Sequence, residues 1–153
     1  MQNRIEESIL KNLFTSDNFT RKVLPYLEEE YFTDRSERLV YKQITEYFMK
    51  YNECPTHEAL NIQLNDLSGH NDEEIKNAQN IINACKENSE ETPHDFLVDE
   101  TEKWCKDRAI YNAVMESIQI IDKSSTREKG EIPDILKDAL SVSFDQHIGH
   151  DFI

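Results

Sequence analysis

The sequence lacks the short motifs on which common catalytic and nucleotide sites depend. It contains only three glycines, and neither a GxxxxGK[ST] phosphate loop nor a GxGxxG turn occurs. The GxSxG pattern of a serine nucleophile and the HExxH pattern of a zinc protease are also missing. We therefore predict no catalytic residue and no cofactor-binding residue in this chain.

Cysteines and long apolar runs are equally scarce. The three cysteines are odd in number and have no CxxC spacing, which is typical of small apolar side chains in a reducing compartment. No run of 18 apolar residues and no leader with a small-residue cleavage site occurs. These absences predict a soluble protein of the cytoplasm that does not enter a membrane.

Positively charged residues are scarce in the middle of the chain. The net charge is −14, and residues 51–102 carry two Lys or Arg against thirteen Asp or Glu. Because binding to phosphates needs clustered cations, we expect no direct nucleic-acid binding. The acidity indicates either a solvated face that aids solubility or a surface for a basic partner protein.

The remaining pattern is helical throughout. Four prolines and three glycines leave few turn signals, and alternating strand patterns are absent, so the fold class is all-α. Helix caps and apolar stripes predict a compact helical unit over residues 1–70, with Ser16 or Asp17, Asp34 paired with Glu37, and Thr56 as caps. Asn71 or Asp72 is expected to cap the helix that follows this unit. Residues 71–121 are expected to form a helical hairpin, followed by a polar linker at 122–131 and a linker helix and tail at 132–153.

The second helix of the hairpin is the longest in the chain. Thr92 as cap and Pro93 at the first helical position start it, and it continues to Ile121. Nine of the thirteen residues at 109–121 are apolar, too many for one stripe, and the preceding helix ends before it could cover them. The N-terminal unit or another copy of the chain must cover the rest. The candidates for a subunit interface are Leu97, Trp104, Tyr111, Val114, Met115, Ile118 and Ile121.

A second amphipathic segment follows the polar linker. Its apolar residues could complete the core of this chain, or they could dock in a groove on another subunit. Because the free energy gained by burying its apolar residues is nearly cancelled by the cost of docking, we expect the helix to be poorly anchored. It should either project from the hairpin or borrow an apolar surface from another copy of the chain. The docking candidates are Ile135, Leu136, Ala139, Leu140 and Phe144.

The tail contains the one conceivable metal site. His147 and His150 are three residues apart, and Asp151 follows them. Incidental histidines in a solvated tail explain the pattern more simply, so no metal ligand is predicted. The tail ends on apolar residues, which indicates a chain cut at a domain boundary.

Four runs of sequence together resemble one protein family. They are VLPYLEEEYF, PTHEALNIQL, FLVDETEKWCKDRAIYNA and EIPDILKDALSVSFDQHIGHD. They occur in the family's order with compatible spacing, and the resemblance extends over nearly the whole chain. In these runs the chain is similar to the N-terminal domain of the replicative DNA helicases of T-even-type phages, in the hexameric DnaB-like family.

The resemblance implies a non-catalytic collar and oligomerisation domain of a hexameric, ATP-dependent replicative helicase. It also implies that residues 132–144 form a linker helix that packs on the ATPase domain of a neighbouring subunit, and that the collar meets the primase. The ATPase domain, with its ATP and magnesium, is expected after residue 153, so no such cofactor is expected in this chain. The alternatives are a stand-alone acidic helical regulator or nucleic-acid mimic, and a metal-dependent enzyme using His147 and His150.

Overall fold

The computed structural model describes residues 4–144, which form seven α-helices and three single 3-10 turns. No strand occurs among these residues, so the predicted all-α fold is confirmed. The helices are α1 (Ile5–Thr15), α2 (Asp17–Val23), α3 (Arg35–Tyr51), α4 (His57–Asn65), α5 (Asp72–Glu87), α6 (His94–Ile121) and α7 (Ile132–Leu140).

Side-chain caps explain where most of the early helices begin. Ser16, Asp34 and Thr56 each accept a hydrogen bond from a backbone N–H in the first turn that follows. Asn71 caps α5 in a reciprocal capping box with Glu74. Each such cap satisfies a donor that the helix itself leaves unpaired, and contributes about 1 kcal/mol. Ser16 and Asn71 thus take the two positions for which the sequence left alternatives.

The chain divides into two compact units, of which the first ends at Val98. In this unit α5 packs against α3, α4 and α1, and α1 packs against α2 and α3. The side chain of Gln63 on α4 ties α3 to α4, because its amide donates to the carbonyl (3.0 Å) and the side-chain oxygen (2.8 Å) of Gln43. Fully buried residues of this core include Ile9, Leu13, Phe19, Val40, Ile44, Leu60, Leu64 and Ile82.

No disulfide bond joins the three cysteines, all of which lie within residues 4–144. Cys85 and Cys105 are buried, and Cys54 is half-buried. Burial raises the pKa of the Cys85 thiol to about 12. This side chain is therefore a protonated, apolar part of the core at neutral pH.

The second unit begins at Asp99 and contains most of α6, the connection that follows and α7. Residue Lys123 has a positive φ of 67°, and Ser124 N–H donates to the carbonyl of Gln119 (2.9 Å), so α6 ends in a tight left-handed turn. A 3-10 turn at Lys129–Glu131 leads directly into α7. The predicted antiparallel packing of α5 with α6, and the predicted domain boundaries at residues 70, 121 and 131, stay predictions.

A candidate subunit interface on the longest helix

The first half of α6 is covered within the chain. Leu97, Trp104 and Cys105 are buried, and so is the polar residue Thr101. Leu97 and Trp104 were both predicted as subunit-interface residues, and the structure places neither of them at the surface. Tyr111 and Ile118 follow Leu97 and Trp104 at the same spacing of seven residues, but each of them is about half exposed.

The second half of α6 exposes a row of large apolar side chains, which we call the α6 stripe. All five of the remaining interface candidates belong to it, and Ile118 is 48% exposed. Ile110 is a sixth member, which belongs to the nine apolar residues at 109–121 but is not among the predicted interface residues. The stripe comprises Ile110, Tyr111, Val114, Met115, Ile118 and Ile121. A row of this kind on one helix face is unusual for a surface that only contacts water.

A different side of the same stretch of α6 is buried. Ala113, Ser117 and Ile120 are each less than a tenth exposed, and the hydroxyl of Ser117 donates to the carbonyl of Ala113 (2.8 Å). At about 100° per residue, this buried side and the α6 stripe are centred about 120° apart around the helix. The excess of apolar residues at 109–121 therefore forms two separate faces, one covered within the chain and one exposed.

A cation holds the aromatic ring at the start of the stripe. The guanidinium of Arg108 lies 4.8 Å from the centroid of the Tyr111 ring, and one of its nitrogens donates to the side-chain oxygen of Asn112 (3.3 Å). A cation over a tyrosine face is attracted by the ring quadrupole. At an exposed ring such a contact contributes about 0.5–1 kcal/mol, so Arg108 favours this orientation of Tyr111 modestly.

The residues of α7 and its exit are divided between interior and surface. Phe144 and Ala139 are buried, Ile135 and Leu136 are half-buried, and Leu140 is 71% exposed. The backbone N–H of Phe144 donates to the carboxylate of Glu102 on α6 (3.0 Å). The expectation that this helix projects without an anchor is therefore wrong at its C-terminal end. No sequence pattern pointed to Glu102, whose role depends on a contact 42 residues away.

An open cavity of about 360 Å³ lies at the surface of the first unit, lined from α3 and the start of α5. Its wall contains Arg35, Arg38 and Lys42. Arg38 donates to the carbonyl of Phe32 (2.8 Å), and the other two face carboxylates. Arg35 contacts Glu74 at 3.0 Å, and Lys42 lies 3.8 Å from Glu29. This balance of charge does not favour a phosphate ligand.

Other chemistry is not evident in the part of the chain that the structure covers. No group of three His, Cys, Asp or Glu is placed to hold a metal ion among residues 4–144. His147, His150 and Asp151 lie outside the described residues. Within that same range, none of the helices has the length and apolar character required to cross a membrane.

Comparison with known proteins shows that the chain is similar to a replicative helicase. The chain is 33% identical over 156 aligned residues to a DnaB-like replicative helicase of Enterobacteria phage T4. The alignment covers 96% of this chain and 32% of that helicase, so the chain spans about a third of the length of this relative. No protein-family model matches the chain. The family resemblance that the four sequence runs indicated is confirmed by this similarity.

Proposed function

We propose, from the similarity of nearly its whole length to a third of a DnaB-like replicative helicase, that this chain is a non-catalytic oligomerisation domain of such a helicase. It corresponds in this proposal to the N-terminal collar. The ATPase domain, with its ATP and magnesium, belongs to the rest of the full-length protein. The similarity supports this function over a stand-alone acidic regulator, since it extends over 96% of the chain.

The α6 stripe is the observation that carries the proposal. Six large apolar side chains on one helix are between 37% and 58% exposed in the monomer, and the guanidinium of Arg108 lies over the ring of one of them, Tyr111. Complete burial of an exposed side chain of this size contributes roughly 1.5–3 kcal/mol, so a second copy of the chain would gain about half of that from each of these partly exposed residues. We infer that the stripe pairs with a stripe of the same kind, as expected for a symmetric contact between identical subunits.

The remaining partners follow from the family resemblance. In the full-length protein, the domain would form part of a hexamer, contact the primase, and place the segment 132–144 near the ATPase domain of a neighbouring subunit. Of the docking candidates, Leu140 is the most exposed and is therefore the side chain best placed to contact such a neighbour.

Self-association of the chain is the direct test. Light scattering at tens of micromolar should give a mass above that of the monomer, and Ile118→Asp should weaken association at least tenfold, because a carboxylate would be buried in an apolar contact. Met49→Asp is the matched control, since Met49 is an exposed apolar residue (76%) of the first unit. A parent chain that stays monomeric throughout this range, or equal weakening by both variants, would exclude the α6 stripe as the interface.

A further inference from the structure

The segment after α7 is fastened to α6 by one carboxylate. A single oxygen of Glu102 accepts hydrogen bonds from the backbone N–H of Phe144 (3.0 Å) and the hydroxyl of Ser143 (3.3 Å). The ammonium of Lys106 lies 3.7 Å from the same oxygen. Because an ionised acceptor makes stronger hydrogen bonds than a neutral one, this is a well-defined attachment point.

A second attachment lies before α7. The guanidinium of Arg127 donates to Glu116 on α6 (2.7 Å) and to Glu131 at the start of α7 (2.9 Å). Glu116 and Glu102 are about 21 Å apart along the axis of α6, at 1.5 Å per residue. The chain from Arg127 to Phe144 therefore runs back along α6, tied to it at each end.

Between these two attachments, little of α7 is buried. Ala139 is the only buried residue among the nine of α7, and Leu140 is 71% exposed. A helix of this length is marginal in water without support from its surroundings. The position of α7 on α6 therefore depends less on packing along the helix than on the two attachments at its ends and on the burial of Phe144.

We propose that the segment 127–144 is a reversible strap on α6, and that Glu102 is the residue that sets how tightly the strap is held. The ties at Glu102 and Glu116 lie on the side of α6 that carries Ala113 and Ile120, away from the α6 stripe. Release of the strap exposes Phe144 and the half-buried apolar residues of α7 together. Glu102 thus controls, within one chain, whether these apolar residues are exposed.

Hydrogen exchange measured by mass spectrometry and NMR tests this strap. The chain carrying Ile118→Asp is the appropriate background, because self-association through the α6 stripe then makes no contribution and the result does not depend on the proposed function. Amides of residues 135–144 should exchange at least tenfold faster than those of residues 113–120. Glu102→Ala should accelerate the amide of Phe144 at least tenfold further, while amides in the core of α3 stay unchanged.

Two further variants separate the role of Glu102 from a general loss of stability. Glu102→Gln keeps an oxygen that can accept a hydrogen bond, so it should accelerate the amide of Phe144 less than Glu102→Ala does, and it serves if the alanine variant does not fold. Asp99→Asn removes an exposed carboxylate of the same helix and should have no effect. Equal protection of residues 135–144 and 113–120 would show a fixed core element and overturn the strap. Equal effects of the Asp99 and Glu102 variants would overturn the role of Glu102.

Discussion

Arg4 and Glu37 are joined by two parallel hydrogen bonds, each 2.9 Å long, that connect the residue before α1 to the first turn of α3. The carboxylate side chain is 5% exposed, and the arginine side chain is 40% exposed. Burial raises the pKa of Glu37 above its ordinary value although Arg4 acts in the opposite direction. The carboxylate of Glu37 thus lies inside the first unit, whereas the guanidinium of Arg4 is partly exposed to water.

Loss of Arg4 should destabilise the first unit. Arg4→Ala leaves the buried carboxylate of Glu37 without its bidentate partner, and we expect a decrease of about 1–3 kcal/mol in the free energy of unfolding. Urea denaturation followed by circular dichroism measures this change. Arg35→Ala, which removes an ion pair of a highly exposed arginine, should change stability by less than about 0.5 kcal/mol. Equal effects of the two variants would contradict the importance of the buried pair.

His57 should make the stability of the fold sensitive to mild acid. The ring stacks on Phe14 with centroids 4.4 Å apart, and burial, with a smaller contribution from Lys86, lowers the pKa of this imidazole below its ordinary value of 6.5. As the pH falls through 6.5, the unfolded chain binds a proton that the folded chain resists. The stabilising contribution is therefore present above this pH and is lost below it.

The measurement compares urea unfolding at about pH 7.5 and about pH 6 for the parent and for His57→Gln. The parent should lose more stability over this interval than the variant does, because only the parent carries the buried imidazole. The other histidines are common to both proteins and contribute equally to both slopes. Identical slopes would show that His57 is not responsible for the pH dependence.

The isolated chain should neither hydrolyse ATP nor bind single-stranded DNA. It has no phosphate-loop motif, and its middle third carries two cations against thirteen carboxylates. A coupled ATPase assay with magnesium and a fluorescence-anisotropy titration of DNA at physiological salt measure these activities. The matched control is the same preparation from cells that lack the gene. Turnover or micromolar DNA binding above that control would contradict the assignment.

Local chemistry in the sequence was sufficient to predict most of the helices and several of their caps, although α6 begins at His94 and not at Pro93 as predicted. Asp34, Thr56 and Asn71 were all predicted as caps, because a side-chain oxygen placed before an apolar periodic run has a local effect that depends on few distant residues. In the same way, the surplus of apolar residues in the second half of α6 predicted that a face of this helix needs a partner. Which of these residues face water was not predictable from the surplus alone.

The features that the sequence did not predict depend on contacts between residues that are far apart in the chain. Glu37 was expected to complete a cap with Asp34, but its carboxylate turns to Arg4, 33 residues earlier. The anchor at Glu102 was missed for the same reason, since an isolated glutamate on a charged helix has no periodic signature. Leu97 and Trp104 have the spacing of the exposed Tyr111 and Ile118, and only the folded chain distinguishes the buried pair from the exposed pair.

The buried position of Trp104 has a practical consequence for spectroscopy. The chain contains a single tryptophan, so all of its indole fluorescence originates from one point on α6. Emission from a shielded indole lies at shorter wavelength than emission from a hydrated one. The emission wavelength of Trp104 therefore reports whether α6 is covered around this residue, without any added label.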